Sequence, residues 1–154
     1  NYLKFIVKEL IPYMRKNYAI AIGKQNTFIA GSSMGGLISL YAICEYPDVF
    51  GKAAGLSTHW PGTFSVEGNP FPKAMQLYLQ KSLPDPRTHR IYLDCGDQEL
   101  DALYPSLLHS VEEILRQRGY SDSTGRARVI AGAGHSERAW SARLLEVIGY
   151  LMGE

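Results

Sequence analysis

Cysteine is scarce: Cys44 and Cys95 are the only two in 154 residues. That excludes a dense disulfide framework and any four-cysteine zinc site, and two free buried thiols are the expected state. An excess of one charge is lacking too. Sixteen Lys and Arg face fifteen Asp and Glu, a net charge of +1. Neither a basic stripe for nucleic acid nor a charged tail is present. No apolar run approaches the roughly 18 residues of a membrane span, and no signal-peptide layout stands at the N-terminus. An initiator methionine is absent as well. The chain opens at Asn1 inside a helical pattern, so a processed chain or a fragment is expected. What is present is a globular composition, 45% hydrophobic, 20% charged and 11% aromatic, over a single-domain length (1–154).

The apolar spacing alternates between strand and helix, which predicts an α/β fold with a mainly parallel sheet. Residues 2–16 place Leu3, Val7, Leu10 and Met14 on one helical face, with a kink at Pro12 or a helix shorter than the pattern expected. A short strand over 27–30 ends in Gly31. Residues 34–46 read as a helix stopped by Pro47, and 53–57 as a weak strand. Residues 58–70, rich in glycine and proline, read as a loop, followed by a helix over 71–82. A strand over 90–95 is bounded by Gly96. Leu103, Leu107, Val111, Ile114 and Leu115 mark a helix over 102–118, ended by Gly119. The last strand, 126–131, leads through Gly132, Gly134 and His135 into a closing helix carrying Trp140, Leu144, Val147, Ile148 and Leu151. The sheet is expected to have four strands.

One motif carries chemistry. Gly31-Ser32-Ser33-Met34-Gly35 fits G-x-S-x-G, between a predicted strand and a predicted helix. That is the setting of a nucleophile elbow, where a serine takes strained backbone angles and small residues are needed two positions either side. Ser33 would stand at the C-terminal edge of the sheet, and the Met34 amide would point at a developing oxyanion. A phosphate cradle fits poorly, since neither the P-loop lysine nor the G-x-G-x-x-G spacing is present. An elbow serine needs a base and an orienting acid. His135 lies on a turn after the last strand, at the same sheet edge. His59 follows the second strand at that edge and is expected to line the pocket. His109 falls on a helix surface and His89 at the opposite edge. After the third strand, Asp97 stands too early, and Glu99 and Asp101 are both candidates for the acid. The order serine, acid, histidine is that of the α/β hydrolases.

Gly31 to Gly36, read as GSSMGG, resembles the elbow of the esterase D and enterochelin-esterase-like branch of the α/β-hydrolase superfamily. That branch includes S-formylglutathione hydrolases, feruloyl esterases and mycolyltransferases. The resemblance runs along nearly the whole chain. Glu9 to Tyr13 is similar to the helix before the elbow strand, and Tyr46 to Gly51 to the link after the elbow helix. Leu56-Ser57-Thr58-His59-Trp60-Pro61 resembles the segment after the next strand. Leu100 to Tyr104 resembles the acid-bearing loop, and Gly134 to Trp140 the histidine loop. In this subgroup the aspartate of the Leu-Asp-Ala stretch is the recurrent acid, which favours Asp101. Other members place it three residues after the glycine, which is Glu99 here.

The resemblance implies the C-terminal half of an α/β-hydrolase fold. The complete fold has eight strands and an elbow after the fifth; only one helix precedes this elbow. The loop giving the second oxyanion amide falls in the missing part, and the elbow strand is expected to expose an unpaired edge that favours self-association. The implied activity is hydrolysis of a small-molecule ester by Ser33, Asp101 and His135, with Met34 at the oxyanion and His59 and Trp60 at the substrate. No metal or organic cofactor is implied. Acyl transfer by the same fold and a non-catalytic hydrolase-like module are the alternatives.

Overall fold

The computed structural model describes residues 1–63 and 67–153. Phe64 to Val66, the centre of the expected 58–70 loop, and Glu154 lie outside the described residues. Four strands are found: β1 (Phe28–Ser32), β2 (Lys52–Leu56), β3 (Arg90–Gly96) and β4 (Gly125–Ile130). All neighbours pair in parallel, in the order β1-β2-β3-β4. Helices connect them: α3 (Met34–Glu45), α4 (Phe71–Ser82) and α5 (Pro105–Gln117), with α6 (Glu137–Met152) closing the chain.

Strand residues alternate between two cores, as the period of two requires. On β3, Ile91, Leu93 and Cys95 enter a core with Leu37, Leu40 and Ile43 of α3 and Leu108, Val111 and Leu115 of α5. Tyr92 points the other way, toward Val147, Tyr150 and Leu151 of α6. Both faces of the central strands are therefore covered, which is why β3 reads as a near-continuous apolar run. Such a sheet gathers its loops at the C-terminal edge of the strands, and the chemistry-bearing residues lie on those loops.

Two predicted elements differ. The chain is helical from Tyr2 to Asn17, as α1 (Tyr2–Phe5), a π-helical turn (Ile6–Leu10) and α2 (Ile11–Asn17). Pro12 stands in the first turn of α2, where its missing N–H costs little, so the irregularity falls in the wider π turn before it. Of the expected apolar stripe only Leu3 is buried, and Leu10 is exposed. The helix expected over 102–118 is two elements, a 3₁₀ turn (Glu99–Leu103) and then α5. Pro105 has no N–H to carry the helical hydrogen-bond ladder across from the 3₁₀ turn, and it suits the first position of a helix. Among the described residues no helix is long and apolar enough to cross a membrane.

Candidate active site

β1 ends at Ser32 and α3 begins at Met34, so Ser33 alone makes the turn. Its φ of 55° and ψ of −120° are strained for a serine, at a cost of about 1–3 kcal/mol. Backbone bonds hold it there. Its amide donates to the Leu56 carbonyl at 2.9 Å, and its carbonyl accepts from Gly36 at 3.0 Å and His59 at 3.1 Å. The small residue before it is needed sterically: a Cβ on Gly31 would meet the Gly35 backbone at 2.6 Å. Gly35 differs from the expectation, since a Cβ there meets nothing within 4 Å.

His135 Nε2 lies 2.9 Å from Ser33 Oγ, and its Nδ1 lies 2.6 Å from Asp101 Oδ1. A carboxylate only accepts, so Nδ1 carries the proton and Nε2 is left to accept from the serine hydroxyl. Asp101 is fully buried. Its second oxygen accepts from the Gly96 amide at 2.6 Å and the Ser57 hydroxyl at 2.5 Å. The candidate acids thus separate. Asp101 meets the histidine, whereas exposed Glu99 takes a positive φ of 56° beside Gly134. Asp97 ties two loops instead, accepting from the Gly132 amide at 2.8 Å.

The His135 ring stands edge-on between Tyr104, with ring centres 5.8 Å apart, and Trp140, at 5.1 Å. Tyr104 also shares a 2.6 Å hydrogen bond with His59 Nδ1. Burial holds the His59 imidazole below the usual histidine range, and the nearby His135 lowers it further, against a backbone bond at Thr63 that raises it. Ser33, Met34, His59, Gly62, Thr63, Leu100 and His135 line a cleft of about 700 Å³. Trp60 is not among them. It is buried in the core under α3 and α5, because the chain turns inward after His59. His109 faces Glu113 on the outer side of α5, and His89 is buried with Nε2 at 2.8 Å from the Pro47 carbonyl. Burial pushes the Cys44 and Cys95 thiols up to about 12, so neither supplies a thiolate nucleophile.

The residues that brace the acid from behind lay outside the sequence-based set. Ser57 accepts from Trp140 Nε1 at 2.9 Å and from Arg143 Nη2 at 3.0 Å. Arg143 forks onto buried Asp94, with Nε to Oδ2 at 2.8 Å and Nη2 to Oδ1 at 2.9 Å. The signal for that pair was present. A carboxylate interrupts the apolar run of β3, and Arg143 follows Trp140 by three positions on the inward face of α6. Opposite charges at two such buried positions imply an ion pair.

The strand order, the covered parallel sheet and the strained serine between strand and helix define an α/β-hydrolase fold. The chain belongs to the Putative esterase family, whose model matches residues 1–151. It is 24% identical over 161 residues to the uncharacterized protein YbbA of Bacillus subtilis (strain 168), covering 100% of this chain and 60% of that protein. Its structure is similar to that of a ferulic acid esterase, with a TM-score of 0.76 and 22% identity over 99% of this chain and 61% of the other. It is also similar to the enterobactin esterase FES of Shigella flexneri, with a TM-score of 0.76 and 21% identity, covering 97% and 37%. The chain thus spans about three fifths of the length of YbbA and of the ferulic acid esterase.

Proposed function

We propose that this chain carries the catalytic triad of a serine esterase acting on a small-molecule carboxylic ester. One observation carries the reading: His135 bridges the Ser33 hydroxyl and the buried Asp101 carboxylate in a continuous hydrogen-bonded line. Family membership and the two esterase folds support it. Ser33 Oγ attacks the ester carbonyl carbon while its proton passes to His135 Nε2. Asp101 accepts from Nδ1–H and balances the imidazolium charge. The Met34 amide, first in α3 and without an intrahelical acceptor, faces the oxyanion. Collapse of the tetrahedral intermediate breaks the ester C–O bond. The leaving alcohol takes the proton from His135, and an acyl-serine remains. Water then attacks that acyl group, His135 takes its proton, and Ser33 Oγ leaves with a proton returned from Nε2. His59 and Met34 form the cleft wall against which the substrate lies.

A fluorophosphonate probe tests this directly. The unsubstituted protein is expected to be labelled at Ser33, and Ser33→Ala to lose the label. Labelling at Ser32 or elsewhere overturns the assignment.

We also propose that a protein of these 154 residues associates with a second copy of itself through the β1 edge, which among the described residues pairs with β2 on one side only.

A further inference from the structure

The environment of Ser57 points to a second level of control over the proposed triad, and the inference rests on the serine-esterase reading. A serine hydroxyl has one proton and two lone pairs. Here three groups compete for it. Trp140 Nε1 and Arg143 Nη2, at 2.9 and 3.0 Å, can only donate, so they occupy the lone pairs. The proton is left for Asp101 Oδ2, 2.5 Å away. Ser57, Asp94 and Asp101 are all completely buried, and Arg143 nearly so, so no solvent competes. The clamp is fixed from both ends. The Ser57 amide donates to Asp94 Oδ1 at 3.1 Å, and the same carboxylate takes the Arg143 fork. Ser57 itself sits at a left-handed φ of 45°, just past the end of β2, which turns its hydroxyl into the space between β3 and α6.

We propose that Ser57 is a positioning residue of the triad, locked by Trp140 and the Asp94–Arg143 pair as a one-way donor that holds the Asp101 carboxylate on His135. The donated bond fixes the carboxylate plane, so that Oδ1 rather than Oδ2 meets Nδ1. It also draws charge away from the oxygen that faces the histidine. Other groups act on the ring as well. Asp101 meets it from the acid loop, where exposed Glu99 stands beside Gly134, Tyr104 stands against it at the start of α5, and His59 lies across the cleft. Glu137 and Arg138, the next charges along the chain, are exposed. Of these only Asp101 bonds to Ser57, so substitution there reaches the ring through that carboxylate.

The test compares Ser57→Ala, Ser57→Cys and Arg143→Lys by steady-state ester kinetics against pH, and by nuclear magnetic resonance titration of His135. Loss of one hydrogen bond to a charged group is expected to lower kcat in Ser57→Ala roughly 10- to 100-fold, with KM unchanged. With a donor gone, the Asp101 charge attracts the imidazolium more strongly. The midpoint of the His135 titration, and of the rise in kcat/KM, should then move to higher pH by about half a unit to one unit. Ser57→Cys, which keeps a weak donor, should fall between. Arg143→Lys keeps the charge but loses the fork, and should show a smaller shift in the same direction. A His135 midpoint unmoved in both Ser57→Ala and Arg143→Lys overturns the proposal, even if both proteins are less stable. Because that titration needs no substrate, it is independent of probe labelling, and absence of a label at Ser33 would count against the esterase reading alone.

Discussion

At the scale of single residues, the site depends on which carboxylate reaches His135. Two acids two positions apart share one loop; their spacing left both open, and the family resemblance favoured Asp101. The structure separates them by backbone geometry. The 3₁₀ turn from Glu99 to Leu103 carries Asp101 inward, where the Gly96 amide and the Ser57 hydroxyl donate to one of its oxygens, while Glu99 stays at the surface. Asp101→Asn presents an amide N–H where Nδ1–H needs an acceptor, which selects the wrong imidazole tautomer. The expected loss in kcat is on the order of 10⁴-fold, as in the triad template. Glu99→Gln should cost less than about tenfold, because that side chain makes no bond to the histidine ring. Steady-state turnover of a p-nitrophenyl ester by the two variants measures the difference. The reverse ranking moves the role of the acid to Glu99. The serine and the histidine were legible because each follows a strand on a glycine turn, a local pattern. Ser57 was not, because its partners Asp94 and Arg143 stand 37 and 86 positions away in the chain.

At the scale of elements, the strands were read to within one or two residues, because buried parallel strands announce themselves as apolar runs between turns. The helix at 102–118 was misjudged where a second rule competes with periodicity. Leu103 continues the apolar spacing of α5, but Pro105 sets the true start and leaves the preceding turn free to present Asp101. Another feature of this region is steric. Gly96 ends β3, and a Cβ there would stand 1.9 Å from the Ala133 carbonyl oxygen, on the loop that carries His135. The same loop is tied to β3 by the Asp97 and Gln98 amides, both donating to that carbonyl at 3.0 Å. Gly96→Ala must therefore push the histidine loop away from the acid loop. Overpacking of this kind costs about 1–3 kcal/mol, which lowers Tm by roughly 2–12 °C in a chain of this size. A displacement near 1 Å at His135 should also cost on the order of 100-fold in kcat. Differential scanning calorimetry and ester kinetics check the two together. An unchanged Tm would mean that the loops separate at no cost and that the close approach is not a constraint.

At the scale of the whole molecule, one side of the sheet is less covered than the other. α3 packs on β1 and β2, and α5 on β3 and β4, whereas α6 packs mainly over β2 and β3. Phe28 and Ala30 of β1 are exposed, as are Leu144, Leu145 and Ile148 on α6. Leu145 is 85% exposed, so it contributes nothing to the core of a single copy. An unpaired parallel edge beside exposed apolar side chains is a template for pairing with another chain. A protein of these 154 residues is therefore expected to sediment as a concentration-dependent mixture of monomer and larger species. Ala30→Lys places charge on β1 and Leu145→Glu places charge on the exposed face of α6, both without disturbing buried packing, and each should shift the mixture toward monomer while leaving Tm within about 1–2 °C. Sedimentation velocity across a hundredfold range of concentration measures this. A single monomeric species at every concentration in the unsubstituted protein would remove the edge as an association surface. Association that persists in both charged variants would place the contact elsewhere on the molecule.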